Sequence, residues 1–173
     1  MRNIIPDILT LVQYFELLSK SRSIWQCYNC GSRRSWKHGC YCRKADRNGQ
    51  NLNPVPIQRL KCCGCGKTYS VLPECIPPRR WYLWKAQQDV LLLILSGESY
   101  SAIARKVLPS RSTISRWISH FKAKTRDYAD CLRSFHSELG RFDKFKAFWQ
   151  ECLKLWPLSK LMLNLNNAGV IIP

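Results

Sequence analysis

The chain has 173 residues, of which 46% are hydrophobic, and a formal net charge of +17 at pH 7. This length suits one ordinary domain or a few small modules, and the apolar fraction excludes a disordered basic tail. Residues 20–126 account for the whole charge excess, because the flanking segments are close to neutral. The charge indicates a polyanionic partner: nucleic acid, an anionic membrane surface or an acidic protein.

The N-terminal apolar run is interrupted by Asp7, Gln13 and Glu16 and has no small-residue cleavage site, which disfavours a secretory signal. No stretch of about 18 uncharged apolar residues occurs, so we expect no membrane span and no membrane partner. A cytoplasmic location is therefore expected. In that compartment, the ten cysteines are expected to bind metal or stay free rather than form disulfides.

The N-terminal half begins with apolar residues at helical spacing, which predict an amphipathic helix over 4–19. This helix is expected to pack on the next module, with dimerisation as the alternative. Alternation over residues 57–61 and a high content of β-formers over residues 68–72 predict short strands. The polar stretch 45–54 predicts a loop at the tip of a long hairpin.

The second half has helical periodicity almost throughout. Gly97 is a candidate C-terminal cap, and Ser110, with Ser99 or Ser101, is a candidate N-cap. After Asp127 the pattern stays helical, with a break at Pro157. Before Asp127, the predicted helices span 81–96, 99–108 and 111–124.

These elements predict a mostly α chain with a small β zinc ribbon. The expected order is an N-terminal helix, a zinc ribbon, a three-helix helix-turn-helix and a C-terminal helical extension. The corresponding segments are 1–20, 21–78, 79–126 and 127–173.

Two C-x-x-C-G motifs carry the clearest chemistry in the chain. Each motif supplies two thiolates from one tight turn, and a glycine after each pair permits positive φ. Four thiolates at tetrahedral corners are a structural zinc site that leaves no open position for water. We therefore predict one structural Zn²⁺, held by Cys27, Cys30, Cys62 and Cys65.

The other cysteines have less defined roles. His38, Cys40 and Cys42 lie between the two motifs and are expected to be ordinary strand residues, with a second metal ion as the alternative. Cys63 lies between two ligands and is expected to point away from the metal. The remaining thiols are predicted to be free and buried: Cys75, Cys131 and Cys152.

Residues 97–122 have the pattern of a helix-turn-helix. In the second helix, Ile114, Ile118 and Phe121 lie on one face, and small polar and basic residues lie on the other. Short side chains let a helix approach the major groove closely, while arginine reads guanine or contacts phosphate. The predicted DNA-binding residues are Arg111, Ser112, Thr113, Ser115, Arg116, Ser119 and Lys122, together with Arg105, Lys106, Arg43 and Lys67.

This combination resembles the InsA-type DNA-binding proteins of bacterial insertion sequences. The matching residues are Cys27, Cys30, Tyr41, Arg43, Cys62, Cys65, Lys67, Thr68, Gly97, Ile103, Ala104, Arg105, Ser110, Thr113, Ile114 and Arg116. The run from Arg59 to Pro73, with His38–Arg43 between the motifs, is also similar to an uncharacterised transposon-associated zinc-ribbon family. The resemblance covers about residues 25–122 and implies binding to element DNA in a bacterial, nucleoid-associated setting, as a repressor or as the partner of a transposase. A homo-oligomer is left open as an alternative to a monomer.

Catalysis by the chain itself is not expected. A retroviral-like nuclease needs three carboxylates on an α/β core, whereas the acids after the helix-turn-helix lie on predicted helices: Asp127, Asp130, Glu138, Asp143 and Glu151. Two alternatives remain open. In the first, the chain is the DNA-targeting portion of a modular or truncated transposase. In the second, it is an RNA-binding zinc-ribbon protein in which aromatic side chains, such as those of Trp25, Tyr28, Trp36 and Tyr41, stack on bases.

Overall fold

The structure is a computed structural model that describes residues 3–5, 7–20, 26–44, 54–78, 82–140, 142 and 144–172. The chain divides into two compact units, Met1–Leu83 and Trp84–Pro173, called here the N-terminal unit and the C-terminal unit. The described residues form six helices and one small sheet, so the expectation of a mostly α chain with a small β module is confirmed at that level.

The N-terminal unit is built on a small sheet and one helix. Its elements are β1 (Asn3–Ile5), α1 (Leu11–Lys20), β2 (Ser35–Arg43), β3 (Val55–Cys62) and β4 (Thr68–Pro73). The sheet has the order β1-β4-β3-β2, in which β2, β3 and β4 are antiparallel neighbours and the short β1 lies parallel to β4. The predicted strands and hairpin are thus present, because β2 and β3 pair on either side of the predicted loop.

The prediction of one helix over 4–19 is wrong at its start. Residues 3–5 form β1, and Asp7 adopts a left-handed conformation with φ of 63°, which a helix cannot contain. The helix starts instead at a capping box: Thr10 Oγ1 accepts from the Gln13 N–H, while Gln13 Oε1 accepts from the Thr10 N–H. The T-x-x-Q pattern at Thr10 is the sequence signal that marks this start.

Helix α1 belongs to the core of the N-terminal unit, in line with the expectation that it packs on the next module. Leu11 and Tyr14 are buried among strand residues such as Ile57 and Val71. The Tyr14 hydroxyl donates to the Val71 carbonyl at 3.3 Å and accepts from the Gln58 N–H at 3.4 Å. Burial raises the pKa of Tyr14 to about 12, so the hydroxyl stays protonated and keeps this link between α1 and the sheet.

The C-terminal unit is helical. Its elements are α2 (Trp84–Leu95), α3 (Tyr100–Lys106), α4 (Arg111–Phe135), a 3-10 turn (Ser137–Leu139), α5 (Phe145–Leu155) and α6 (Leu158–Asn167). Gly97 ends α2 with φ of 98°, and the Glu98 N–H bonds the Leu93 carbonyl in a Schellman arrangement. Ser99 and Ser110 cap α3 and α4, as predicted.

Helix α4 is much longer than the predicted 111–124 segment, and it crosses the predicted boundary at 126/127. No proline or glycine interrupts it before His136, and Asp127 pairs with Lys124 on the same helix instead of capping a new one. The segment 127–173 is therefore not a separate extension. Its apolar residues join the core formed by α2–α4, including Leu132, Phe148, Trp149, Leu161 and Leu165.

Some predicted features lie outside the described residues. They are Trp25, Asp143, the first residue of the predicted 81–96 helix and, apart from Pro54, the 45–54 loop.

Candidate metal centre and nucleic-acid interface

The four predicted metal ligands meet at one point of the N-terminal unit. The sulfur atoms of Cys27, Cys30, Cys62 and Cys65 all lie within 4.8 Å of one another. The Cys27–Cys65 and Cys30–Cys62 sulfur pairs are 3.7 and 3.5 Å apart. A disulfide would need about 2.05 Å, whereas four sulfurs about 2.3 Å from a tetrahedral metal lie roughly 3.8 Å apart. The spacing therefore fits a metal ion held by four thiolates.

The two cysteine turns have the same backbone hydrogen bonds. In the first, Gly31 N–H bonds the Cys27 carbonyl at 2.8 Å and Cys27 N–H bonds the Ser32 carbonyl at 2.8 Å. In the second, Gly66 and Cys62 make the equivalent bonds at 3.1 and 3.0 Å. Gly31 and Gly66 have φ of 71° and 69°, a conformation that strains any residue with a Cβ.

The second turn also directs backbone donors at a ligand sulfur. The Cys65 N–H, the Cys30 thiol and the Gly64 N–H at 3.3 Å together lower the pKa of the Cys62 thiol to about 6, while the shared hydrogen bond with Cys62 raises the pKa of Cys30. A thiolate is the form that binds metal, so these donors favour the ligating state at neutral pH. The Cys63 N–H bonds the Arg34 carbonyl at 2.9 Å, which anchors the turn to the chain just before β2.

The remaining cysteines lie apart from this cluster. His38, Cys40 and Cys42 are exposed on β2, as expected for strand residues, and Cys63 is exposed. Within the described segments, the four-sulfur cluster is the only group of three or more potential metal ligands. Cys75 and Cys152 are buried, and burial raises the pKa of each thiol to about 12, while Cys131 is only partly buried.

The second candidate site is the start of α4 in the C-terminal unit. Helix α3 packs on α4 through buried Ile103 and Ile114, with a four-residue connection between the helices. Ser110 Oγ accepts from the Thr113 N–H, which fixes the first turn of α4. The opposite side is accessible: Thr113 and Ser115 are half-buried, and the other predicted contact residues of α4 are exposed, namely Arg111, Ser112, Arg116, Ser119 and Lys122.

The charges around this helix start are mostly positive, and some are engaged locally. Lys106 pairs with both carboxylate oxygens of Glu98 at 2.8 and 2.7 Å, which reduces its value as a phosphate contact. Arg116 donates to Thr113 Oγ1 at 3.4 Å, and the Lys122 ammonium lies 5.8 Å from the centre of the Phe145 ring. Arg105 is exposed at the end of α3.

Arg43 and Lys67 lie in the N-terminal unit, whereas α4 lies in the C-terminal unit. The Arg43 guanidinium donates to the Pro77 carbonyl at 3.2 Å, which makes it an internal tie between β2 and the end of the sheet module. Lys67 donates to Asn29 Oδ1 at 2.7 Å and links the two cysteine turns. The sequence prediction overlooked Lys61, whose ammonium lies over the Trp36 ring. Trp36 on β2 lies opposite Lys61 on β3, because the register of the two strands places Ser35 opposite Cys62.

A family model described as a domain of unknown function, DUF6431, matches residues 27–117, more than half of the chain. The chain belongs to this family. The DUF6431 match begins at Cys27 and ends within α4, so it contains the four clustered cysteines and the first turns of α4, but not Ser119 or Lys122. Comparisons with curated proteins and with solved structures give no match. No helix in the described segments is both long and apolar enough to cross a membrane.

Proposed function

We propose that this chain is a non-enzymatic, sequence-specific binder of duplex DNA. The observation that carries the proposal is the first part of α4. Its buried side joins the helical core through Ile114 and Ile118, and its other side presents exposed Arg111 and Arg116 between short hydroxyl side chains. Such a surface suits a major groove, where short residues permit close approach and arginine reads base edges.

The metal in this proposal is one structural Zn²⁺. Four thiolates and tetrahedral sulfur spacing are typical of structural zinc, and a full set of protein ligands leaves no position for a reacting water. The ion then stabilises a unit whose sheet is small. The acidic residues that follow the start of α4 support a non-enzymatic role. Asp127 and Asp130 on α4 and Glu151 on α5 each pair with a basic residue three positions away on the same helix.

We further propose that the bound DNA belongs to a mobile element, where the chain acts as a repressor or as an accessory to a transposase. This part rests on the resemblance to InsA-type proteins, and on the presence of a cysteine module and a capped α3–α4 pair within one family segment. The net charge of +17 supports a polyanionic partner in general.

The test is selection of bound sequences from random duplex DNA by the zinc-loaded chain, followed by affinity measurement on the selected duplex. Arg116→Ala should weaken this complex by about 1–3 kcal/mol, the range for one bidentate base contact, and should relax specificity at one position. Arg116 is exposed, so the variant is expected to fold normally.

Lys154→Ala is the matched control. Lys154 is also an exposed cation, but it lies near the end of α5 and pairs with Glu151 at 2.6 Å. Its removal should leave affinity for the selected duplex nearly unchanged. Equal losses for both variants would indicate nonspecific charge attraction, and failure to enrich any sequence would contradict specific binding.

A further inference from the structure

The N-terminal unit has an exposed aromatic residue that the proposed duplex contact does not use. Trp36 lies on β2, an edge strand of the sheet, and its side chain is 52% exposed. A single exposed apolar ring is common on protein surfaces, so the groups beside the ring decide whether it can bind a ligand.

The ring is paired with a cation across the hairpin. Trp36 lies opposite Lys61 in the β2–β3 register, and the Lys61 ammonium is 5.9 Å from the ring centre. A cation near the ring face is held there by the quadrupole of the indole. The arrangement therefore places a positive charge over one face of a half-exposed indole.

The surrounding charge is of one sign. Segments 26–44 and 54–73 contain no acidic residue, and Arg33, Arg34 and Lys37 are exposed around Trp36 in the sequence. The full set of basic residues in these segments is Arg33, Arg34, Lys37, Arg43, Lys44, Arg59, Lys61 and Lys67.

Neighbouring contacts fix the strand that carries Trp36. Ser35, next to Trp36, lies opposite the metal ligand Cys62, and the Arg34 carbonyl accepts from the Cys63 N–H at 2.9 Å. Backbone bonds on the cysteine turn thus fix the strand that carries the ring. Preorganisation of this kind lowers the entropy lost when a ligand stacks on the ring.

We propose that Trp36 and Lys61 form a second nucleic-acid site, which binds an unpaired base of single-stranded DNA. The base stacks on the Trp36 indole, Lys61 faces the adjoining phosphate, and an exposed cation on the same face of the hairpin, Arg59, holds a neighbouring phosphate. Base–aromatic stacking tolerates any sequence, because every base has a π-face. The site is independent of the α4 contact to duplex DNA.

The experiment measures binding of the full, zinc-loaded chain to two labelled 12-nucleotide probes by fluorescence anisotropy. The probes are oligo-dT and an abasic strand of the same length. The wild-type chain should bind oligo-dT more tightly, because only that probe has bases. Trp36→Ala should weaken oligo-dT binding by about tenfold and remove the difference between the probes. Trp36→Phe should retain most of the affinity, and Arg59→Ala should weaken both probes equally.

Matched controls separate this site from the proposed duplex site. Phe135→Ala removes an aromatic side chain of similar exposure, 53%, from the C-terminal unit and should leave oligo-dT binding unchanged. Arg116→Ala should lower duplex affinity without affecting oligo-dT, and Trp36→Ala should do the reverse. If instead each variant lowers both affinities alike, separate sites are excluded.

A cross-link on the unmodified chain avoids any folding defect of a variant. Photolysis of a 5-iodouracil strand should attach it to the tryptic peptide Ser35–Lys37. Equal binding of both probes by the wild-type chain, or cross-links confined to residues 84–173, would overturn the proposal. So would a Trp36→Ala variant that loses affinity only for vesicles of phosphatidylcholine and phosphatidylserine, because the ring would then serve a membrane surface.

Discussion

Single residues in the cysteine cluster have sharply different roles despite being neighbours in the chain. Cys62 is buried with its sulfur 3.5 Å from that of Cys30, whereas the adjacent Cys63 is exposed and outside the cluster. The C-x-x-C spacing predicted this division, because two ligands from one turn must lie three positions apart. The same spacing could not show that Cys65 and Gly64 direct backbone N–H groups at Cys62.

Replacing Cys62 by serine should abolish stoichiometric zinc binding and unfold the N-terminal unit. A structural zinc site contributes on the order of 10 kcal/mol or more of apparent binding free energy, and this variant removes one of its four thiolates. Metal analysis of the purified chain should give about one zinc in the wild type and close to none in Cys62→Ser.

Cys63→Ser is the control for that change, because it alters a thiol one position away that faces solvent. It should keep its zinc and its thermal stability. Zinc loss in Cys63→Ser, or full zinc occupancy in Cys62→Ser, would show that the ligand set is wrong.

At the scale of elements, the caps were the most readable features of the sequence. Gly97, Ser99 and Ser110 cap the helices where expected, since capping depends on the side chain and a few adjacent backbone groups. The start of α1 was missed because apolar periodicity extends upstream of Thr10. Residues 3–5 instead pair with β4, a partner almost 70 positions away.

Ser110→Ala should destabilise the C-terminal unit by about 1 kcal/mol, since it removes the acceptor for the Thr113 N–H at the start of α4. The urea midpoint should fall with little change in the slope of the transition. Ser119 is exposed inside the same helix, where alanine is the better helix former. Ser119→Ala should therefore not lower the midpoint. A cap role for Ser110 is contradicted if the two variants have the same midpoint.

At the scale of the whole molecule, the chain consists of two units with separate cores. The N-terminal core gathers around Tyr14 and Ile57, next to the cysteine cluster, and the C-terminal core gathers around Trp149. In the latter, Phe121, Tyr128 and Phe148 pack against the Trp149 ring at centroid distances of 5.0 to 5.9 Å. Aromatic packing of this kind does not depend on the metal.

Metal removal should therefore unfold one unit only. With a strong chelator, amide hydrogen exchange should become fast in peptides from residues 26–78 and stay slow in buried helices of residues 84–172, because five of the six helices pack in the C-terminal unit. Added zinc should restore protection. Loss of protection throughout the chain would mean that the two cores are energetically linked.

The sequence by itself determined the features that depend on local spacing: the four ligand cysteines, the hairpin between them, the helix caps and the opposed faces of α4. The tertiary structure decided what depends on distant partners. It placed residues 3–5 beside β4 and put the Lys61 ammonium over Trp36. It also extended α4 to Phe135 and merged α5 and α6 with α2–α4, because their apolar sides are buried only against one another.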